Sequence, residues 1–319
     1  MVSRSEPVSG WQPCPVDTGH CLPQVGNDSG MAENLLRLAM TIRDDSSRVL
    51  KVRDALQEFL SRETGVRVSA FGTPDQIRIG RKQFDLILVL GGDGTILRTC
   101  RQLGSRQIPI MGINLGRLGF LADLSPEEFQ TRFHEIRARR YTVVPHLMFS
   151  CRLIRADGSH ETHLGLNEVA VHSGGALRIL QVHLAINGQD VTTYSCDGLI
   201  ISTPVGSTAH SLAAGGPILR QDLQAFVITP ISPHTLTNRP LVDSADSLYS
   251  LTLPEVPAGA TLVVDGQIKV PLQFGDRIEI RKAPVNFQFA RLSDHSYYAT
   301  LHEKLGWGGQ TGNGHRNGS

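Results

Sequence analysis

The segment LILVLGGDGTIL (residues 86–97) places one carboxylate, Asp93, in a glycine turn between an apolar strand and a helical stretch. Glycines permit positive φ angles and close backbone approach, so consecutive amides of this loop can face phosphate oxygens. Thr95 can cap or start the following helix. The carboxylate could hold Mg²⁺, accept a proton from an attacking hydroxyl, or cap the helix. Because GGDGT lacks the GK[ST] of a Walker loop and the GxGxxG of a dinucleotide fold, it predicts a phosphate site of another kind.

A second glycine loop, GINLGRLGF (residues 112–120), follows the next apolar strand along the chain. Ligands of parallel α/β sheets bind outside the carboxyl ends of the strands. We therefore expect the two loops to open on the same edge of one sheet. Their combination favours a nucleotide site over two unrelated turns.

Two further polar groups interrupt apolar stretches later in the chain. Asn167 and Glu168 lie inside the strand candidate GLNEVAVH, where a polar pair is costly unless it is satisfied by a hydrogen bond or a ligand. Asp265, Gly266 and Gln267 are most simply a hairpin turn. The first pair is a candidate site, with a structural hydrogen bond as the alternative, and the second group carries little weight alone.

The segment CDGLIISTPVGSTAHSLAAGGPI (residues 196–218) contains a strand, a break at Thr203-Pro204 and a short helix that ends at two glycines. Ser207 or Thr208 is expected to be the N-cap of that helix. A helix N-terminus attracts anions, so we expect this one to face an anion or a ribose hydroxyl.

The elements that must position these residues change in type along the chain. Strand candidates at 35–42, 66–71, 85–90 and 108–114 enclose a helical stretch with apolar residues at Val49, Val52, Leu56, Phe59 and Leu60. Strands that alternate with helices predict a Rossmann-like α/β sheet. After about Tyr141, short β-rich runs broken by NG, DG and GD turns predict a second, mainly β domain.

These sequence patterns predict the domain boundaries. Residues 1–30 form a disordered leader, 31–140 a Rossmann-like α/β nucleotide-binding domain, 141–290 a β-rich domain, and 306–319 a disordered tail. A helix within 291–305 is expected to fold back on the first domain. Translation could start at Met1 or at Met31.

Bulk composition narrows the class of protein. The formal charge of +1 gives no basic field for nucleic acid or an anionic membrane. Five scattered cysteines form no CxxC pair or metal-ligand spacing, which indicates free thiols in a reducing cytoplasm. No apolar run approaches the ~20 residues that span a bilayer. The sequence therefore predicts a soluble, cytoplasmic protein that acts on small molecules, without nucleic-acid or membrane partners.

Six motifs resemble those of the NAD kinase family in order and spacing: GGDGT at 91, NLGRLGFL at 114, LNE at 166, DGLIISTPVGSTAHSLAAGGPI at 197, PISPHTLTNRPLV at 230 and KLGW at 304. The resemblance covers residues 35–307. It implies a kinase that uses ATP and a divalent cation such as Mg²⁺ to phosphorylate the 2′-hydroxyl of the adenosine ribose of NAD. It also implies that the β-rich domain binds NAD and that the protein is a homodimer or homotetramer.

The resemblance also implies residue roles. Asp93 is the catalytic residue, Asp197 is expected to complete a neighbouring subunit's site, and no residue is assigned as a metal ligand. The residues implied to bind substrates are Gly91, Gly92, Gly94, Thr95, Phe120, Asn167, Glu168, Arg178, Ser195, Asp197, Thr208, Ala209, His210, Ser211, Leu212, Ala213 and Gln267.

Three residues depart from the family's usual TPTGSTAY and SLSAGG, namely Val205, His210 and Ala213. His210 keeps a planar ring and a donor where the family has tyrosine, and it can titrate. Substrate affinity and pH response can therefore differ from the family pattern. ATP against polyphosphate, NAD against NADH, and feedback by NADPH stay open.

Three alternative functions remain at this point. A sugar-phosphate kinase would need a cluster of Arg and His residues, for which Arg178, His234 and Arg239 are the candidates. Lipid kinases that act on diacylglycerol or sphingoid bases carry a similar GGDGT loop. A non-catalytic sensor would bind NAD(P) without turnover.

Overall fold

Four parallel strands and the helices between them form the N-terminal part of the computed structural model, which describes residues 35–76, 84–116, 119–174, 179–235, 237–292 and 297–306. The strands lie in the order β2, β1, β3, β4. The elements are β1 (Leu36–Ile42), α1 (Ser47–Ser61), β2 (Val66–Gly72), β3 (Leu86–Leu90), α2 (Asp93–Leu103), β4 (Ile110–Ile113), α3 (Pro126–Thr131) and α4 (Phe133–Arg137). The predicted alternation of strands and helices is confirmed.

Apolar spacing accounts for these elements. Every residue of β3 is buried, as a central parallel strand covered on both faces requires. Helix α1 buries Val49, Leu56 and Leu60 of the predicted apolar positions. Its N-cap is Ser46, whose side chain makes no capping hydrogen bond. Burial of one face therefore stabilises α1 more than capping does.

Twelve strands and little helix make up the rest of the described chain. They are β5 (Thr142–Ile154), β6 (His160–Gly165), β7 (Glu168–His172), β8 (Leu180–Ile186), β9 (Gln189–Cys196), β10 (Gly198–Ser202), β11 (Ala225–Ile231), β12 (Leu241–Ser244), β13 (Tyr249–Thr252), β14 (Thr261–Val264), β15 (Ile268–Pro271) and β16 (Arg277–Arg291). The helices are α5 (His210–Ala213), which follows a 3₁₀ turn (Gly206–Thr208), and α6 (Tyr297–Leu305). The predicted mainly β second part is confirmed.

The β-rich part is a sandwich of two sheets. One sheet has the order β12, β11, β10, β7, β14, β15. Strands β5, β16, β13 and β8 belong to the other sheet, and side chains such as Phe149, Phe226 and Tyr249 fill a single apolar core between the two. This packing fixes β7 and β10, which carry several predicted site residues.

Strand β16 joins the two parts of the molecule. It pairs with β5 over twelve residue positions on both sides of an irregularity between Lys282 and Asn286. Its early residues also pair with β13, and Phe289 pairs with Ile110 of β4. One ten-stranded sheet therefore runs through both parts, and the exact boundary near residue 141 stays a prediction.

Two predicted hairpin turns have the expected backbone conformation. Asn187 and Gly188 have φ angles of 50° and 78°, and Asp265 and Gly266 have 49° and 66°. Positive φ at both central residues is characteristic of a type I′ turn. The NG and DG signals are therefore confirmed.

Helix α6 contacts both parts of the fold. The hydroxyl of Tyr297 donates to the carbonyl of Leu219 at 3.2 Å, and the Nζ atom of Lys304 lies 6.0 Å from the centre of the Phe120 ring. Within the described ranges, no helix is long and apolar enough to cross a membrane. The predicted leader (1–30), Met31 and the tail from 307 onward lie outside the described residues.

Candidate functional site

The first glycine loop connects β3 to α2. Gly91 donates its amide to the carbonyl of Ile113, and Thr95 donates to the carbonyl of Gly92, both at 2.9 Å. A side chain at residue 91 would lie 2.4 Å from the Thr95 hydroxyl, so only glycine fits there. Among the described residues, the amides at the start of α2 that remain for a ligand are those of Gly92, Asp93 and Gly94.

Asp93 is the first residue of α2 and links the two glycine loops. Its Oδ2 accepts the amide of Phe120 at 2.9 Å. Its Oδ1 accepts the amides of Leu121 and Ala122, both at 3.0 Å. Because strands β3 and β4 are parallel neighbours, the two loops meet at the same edge of the sheet. The carboxylate is half-buried and held in one orientation by three donors.

Gly119 makes this arrangement possible. A Cβ atom at residue 119 would lie 2.1 Å from Oδ1 of Asp93, well inside contact distance. Sequence reasoning did not single out this glycine. The available signal was its position directly before Phe120 in the second loop.

Asn167 and Glu168 precede and begin β7, opposite the Asp265 hairpin. The amide of Asn167 donates to Oδ1 of Asp265 at 2.8 Å, and that of Glu168 does so at 3.3 Å. The Asp265 amide donates to the carbonyl of Glu168 at 2.9 Å. The hairpin is therefore more than a turn, because its aspartate binds the backbone of the predicted Asn-Glu pair.

Glu168 is a buried acid. Only 5% of the residue is exposed, and its Oε2 has no hydrogen-bond partner within the described residues. Burial, with the nearby charge of Asp265, raises the pKa of Glu168 to about 8. At neutral pH its carboxyl group therefore carries a proton, and it can donate a hydrogen bond to a ligand.

Gln267 lies beside the first glycine loop. Its Nε2 donates to the carbonyl of Gly94 at 2.9 Å, and its Oε1 accepts a hydrogen bond from Arg101. Of the remaining implied binding residues, Arg178 lies outside the described residues.

The segment after Pro204 differs from the expected capped helix. Ser207 donates to the carbonyl of Pro204 at 2.6 Å, and Thr208 donates to that of Val205 at 3.1 Å. Both hydroxyls therefore bind carbonyls three residues earlier, and neither caps a helix. The α-helix begins at His210 and has four residues, too few for the anion-attracting N-terminus that we expected. The predicted N-cap at Ser207 or Thr208 was wrong, because local side-chain hydrogen bonds compete with helix capping. Contact of this segment with an anion or a ribose hydroxyl stays a prediction.

This segment runs along β7 from one end to the other. A side chain at Gly206 would lie 2.1 Å from the carbonyl oxygen of Asn167. The ring of His210 stacks on that of His172 with centroids 5.5 Å apart. Burial lowers the pKa of both histidines. Ala209 and Leu212 are half-buried and Ala213 is exposed, whereas Ser211 is buried and hydrogen-bonds Thr229 at 2.9 Å.

Ser195 and Asp197 lie at the other end of the β7–β10 pair. Glu168 pairs with Ser202 and His172 with Gly198, so Asp197 is five residues along the strand, or roughly 17 Å, from Glu168. Asp197 is exposed and its Oδ1 lies 3.2 Å from Nε2 of His234. Ser195 lines a cavity of about 530 Å³ with Gln181 and Glu255. Within one chain, these residues do not gather around Asp93.

The three described cysteines are free and buried. Cys196 precedes Asp197, and burial raises the pKa of its thiol to about 11. A thiol of this kind is inert rather than nucleophilic.

The fold is an α/β sheet whose first glycine loop contacts the β sandwich through Gln267, an arrangement typical of nucleotide-binding proteins. Residues 25–141 match the model of the ATP-NAD kinase N-terminal domain, and residues 166–292 match that of the ATP-NAD kinase C-terminal domain. An NAD kinase of Rhodopirellula baltica is 50% identical over 229 residues, which cover 72% of this chain and 74% of the relative. The chain belongs to the NAD kinase family.

Further relatives agree with this assignment. An NAD kinase of Heliobacterium modesticaldum is 38% identical over 84% of this chain and 98% of its own. The crystal structure of yeast NADH kinase complexed with NADH superposes with a TM-score of 0.77 at 25% identity, covering 88% of this chain and 90% of that one. An NAD kinase from Archaeoglobus fulgidus in complex with ATP gives 0.65 at 30% identity, covering 84% and 98%. The predicted family and fold class are confirmed.

Proposed function

We propose that this chain transfers the γ-phosphoryl group of ATP to the 2′-hydroxyl of the adenosine ribose of NAD, making NADP. The observation that carries the proposal is Asp93, a half-buried carboxylate held at the point where two glycine loops meet. Family membership names the acceptor, and the relatives crystallised with ATP and with NADH support a nucleotide donor and a dinucleotide acceptor.

Asp93 faces the acceptor hydroxyl through Oδ2. A carboxylate oxygen accepts about two hydrogen bonds. Oδ1 already accepts two amides, whereas Oδ2 accepts one. Oδ2 therefore retains the capacity to orient the 2′-hydroxyl and to take its proton during transfer.

Phosphoryl transfer requires mainly positioning and charge stabilisation, because the transition state spreads charge over the phosphoryl oxygens. The amides of Gly92, Asp93 and Gly94 at the start of α2 would receive those oxygens, aided by the positive end of the helix dipole. Gly91 and Thr95 shape the loop from within. The carboxylate and the amides then serve different substrates from one loop.

The NAD side of the site would be formed by Asn167, Glu168 and the segment Thr208–Ala213. The half-buried Asn167 can offer both a donor and an acceptor to the ribose, and protonated Glu168 can donate to a ribose oxygen. Phe120 and the His210 ring offer planar faces for a base. Gln267 borders the donor loop, and Arg178 keeps its proposed contact with NAD.

Mg²⁺ would accompany the donor phosphates. Among the described residues, no group of three His, Cys, Asp or Glu side chains could hold a metal ion. Because the remaining acceptor position of Asp93 faces the 2′-hydroxyl, the donor phosphates and water would hold the ion. The ion would neutralise charge on the phosphates.

We also propose that the protein is a cytoplasmic homodimer or homotetramer, with neither nucleic acid nor membranes as partners. The separation of Asp197 from Glu168 along the β7–β10 pair supports an assembly in which Asp197 contacts NAD bound by a neighbouring subunit. Size-exclusion chromatography with light scattering tests the oligomer.

The decisive assay supplies purified protein with ATP, Mg²⁺ and NAD and detects NADP with an NADP-specific dehydrogenase. We expect NADP to accumulate, and parallel reactions with polyphosphate and NADH define the preferred donor and acceptor. Absence of product with every donor would overturn the proposal. NAD binding without turnover would indicate a sensor, and phosphorylation of diacylglycerol or a sphingoid base would indicate a lipid kinase.

A further inference from the structure

Asp265 is a fully buried carboxylate to which the proposed reaction assigns no role. Its side chain has no exposed surface, and its oxygens accept three consecutive backbone amides, those of Leu166, Asn167 and Glu168, at 2.8 to 3.3 Å. Every one of these partners is a donor, so the pattern fits the ionised carboxylate. Burial raises the pKa of Asp265, while Arg101 and the amides oppose that rise.

The opposite side of Asp265 is tied to helix α2. The Nη1 atom of Arg101 lies 2.8 Å from Oδ2 of Asp265 in an ion pair whose arginine side chain is 13% exposed. The other guanidinium nitrogen of Arg101 donates to Gln267, which in turn donates to the carbonyl of Gly94. Arg101 follows Asp93 by about two helical turns, on the same face of α2. A continuous set of polar contacts therefore joins the Asn167-Glu168 backbone to the helix that begins at Asp93.

The turn itself does not require a carboxylate. The hairpin between β8 and β9 makes the same type I′ turn with Asn187, at a φ angle of 50° against 49° for Asp265. Asn187 uses its side chain on Leu248 and Ser247 nearby. An asparagine at residue 265 would therefore keep the turn and lose only the charge and part of the hydrogen bonding.

We infer that Asp265 is a positioning residue: it holds the backbone of Asn167 and Glu168 against α2, so that both side chains face the acceptor nucleotide in a fixed relation to Asp93. The inference rests on the proposed function for the identity of the acceptor. Asp265 does not touch the substrate and acts through the residues that do.

The charge of Asp265 provides a readout that a purely structural role lacks. Among the described residues, Asp265 is the charged group that acts on Glu168, and Arg101 of α2 is paired with Asp265. The strand partner of Glu168 on β10 is the uncharged Ser202. If Asp265 loses its charge, Glu168 ionises at lower pH. The basic limb of the pH profile for NAD use should then move to lower pH.

The test compares Asp265→Asn with a matched variant, Asp276→Asn. Asp276 is also buried, pairs with Arg155 at 2.7 Å, and accepts a backbone amide, that of Gln273, at 2.8 Å. Asp276 lies outside the site. We expect kcat/KM for NAD to fall roughly 10- to 100-fold in Asp265→Asn, with a smaller change in KM for ATP and the shifted basic limb. Asp276→Asn should lose comparable thermal stability with kinetics within about twofold of wild type.

Equal kinetic losses in the two variants, or wild-type NAD kinetics in folded Asp265→Asn, would overturn the inference. Should Asp265→Asn fail to fold, Arg101→Gln supplies the test, because it leaves the three amide contacts and removes the tie to α2. We expect it to reduce kcat/KM for NAD about tenfold, and unchanged kinetics would again overturn the inference. A wild type that makes no NADP would defeat the proposed function separately, and calorimetric NAD binding would then still report on Asp265.

Discussion

Two aspartates in this molecule each accept three consecutive backbone amides, but their surroundings differ. Asp93 accepts the amides of residues 120–122, and Asp265 accepts those of residues 166–168. Asp93 is half-buried and forms no ion pair within the described ranges, whereas Asp265 is sealed and paired with Arg101. An anion with an open side and spare acceptor capacity can meet a substrate. An anion surrounded by donors and a cation can only organise the protein.

The largest effect should come from replacing the open carboxylate. Asp93→Asn removes the proton acceptor and turns an amide nitrogen toward backbone donors, so kcat should fall by about 10² to 10⁴. Steady-state NADP formation measures the loss, and circular dichroism checks the fold. Turnover near that of wild type would remove Asp93 from the chemistry and reduce it to a loop anchor like Asp265.

A second variant moves the Asp93 carboxylate without removing it. The methyl group of Gly119→Ala would press on Oδ1, so kcat should fall roughly 10- to 100-fold with a stability loss of about 1 to 3 kcal/mol. The matched change is Gly116→Ala, whose Cβ meets nothing within 4 Å. Similar activities in the two variants would indicate that the orientation of Asp93 is unimportant.

The buried carboxyl group of Glu168 predicts an effect of pH on the stability of the fold. Because the pKa of Glu168 is about 8 in the fold and about 4.5 in the unfolded chain, folding keeps a proton that the unfolded chain releases. Wild-type stability should therefore decline from about pH 5 to 8, by up to about 1.4 kcal/mol per pH unit. Glu168→Gln should remove that decline, because glutamine does not ionise. The stability of the variant relative to wild type should therefore rise as pH increases from 5 to 8. Urea unfolding at pH 5, 6.5, 8 and 9 measures it, and parallel pH curves would contradict it.

The smallest effect should come from Lys304, which lies near the Phe120 ring in the second glycine loop. Lys304→Met removes the cation near the Phe120 ring, a contact worth about 0.5 to 1 kcal/mol at an exposed site. KM for NAD should rise by less than about fivefold, with kcat unchanged. A large fall in kcat would show that Phe120 contributes to the orientation of Asp93.

Local patterns in the sequence predicted much of this architecture. Apolar runs with glycine loops after β3 and β4 were sufficient for the α/β part, and Asn187-Gly188 and Asp265-Gly266 were sufficient for two turns. The motifs also identified the family. Each of these features depends on neighbours within a few residues or on a fixed motif, which is information that one sequence contains.

Long-range partners were not predictable in the same way. Asp265 looked like a turn residue because its turn is local, while its amide partners lie 97 to 99 residues away. The three donors to Asp93 lie 27 to 29 residues away. The predicted helix cap at Ser207 or Thr208 was wrong because of local contacts. Those hydroxyls donate to backbone carbonyls three residues earlier instead of capping a helix.

The shared strand β16 limits how the molecule can move. Its backbone pairs extend on both sides of the irregularity between Lys282 and Asn286 and reach β4 as well as β13. This continuous backbone pairing opposes a hinge rotation of the two parts. We therefore expect loop movement, rather than rotation of the two parts, to accompany the entry of substrates and the release of products.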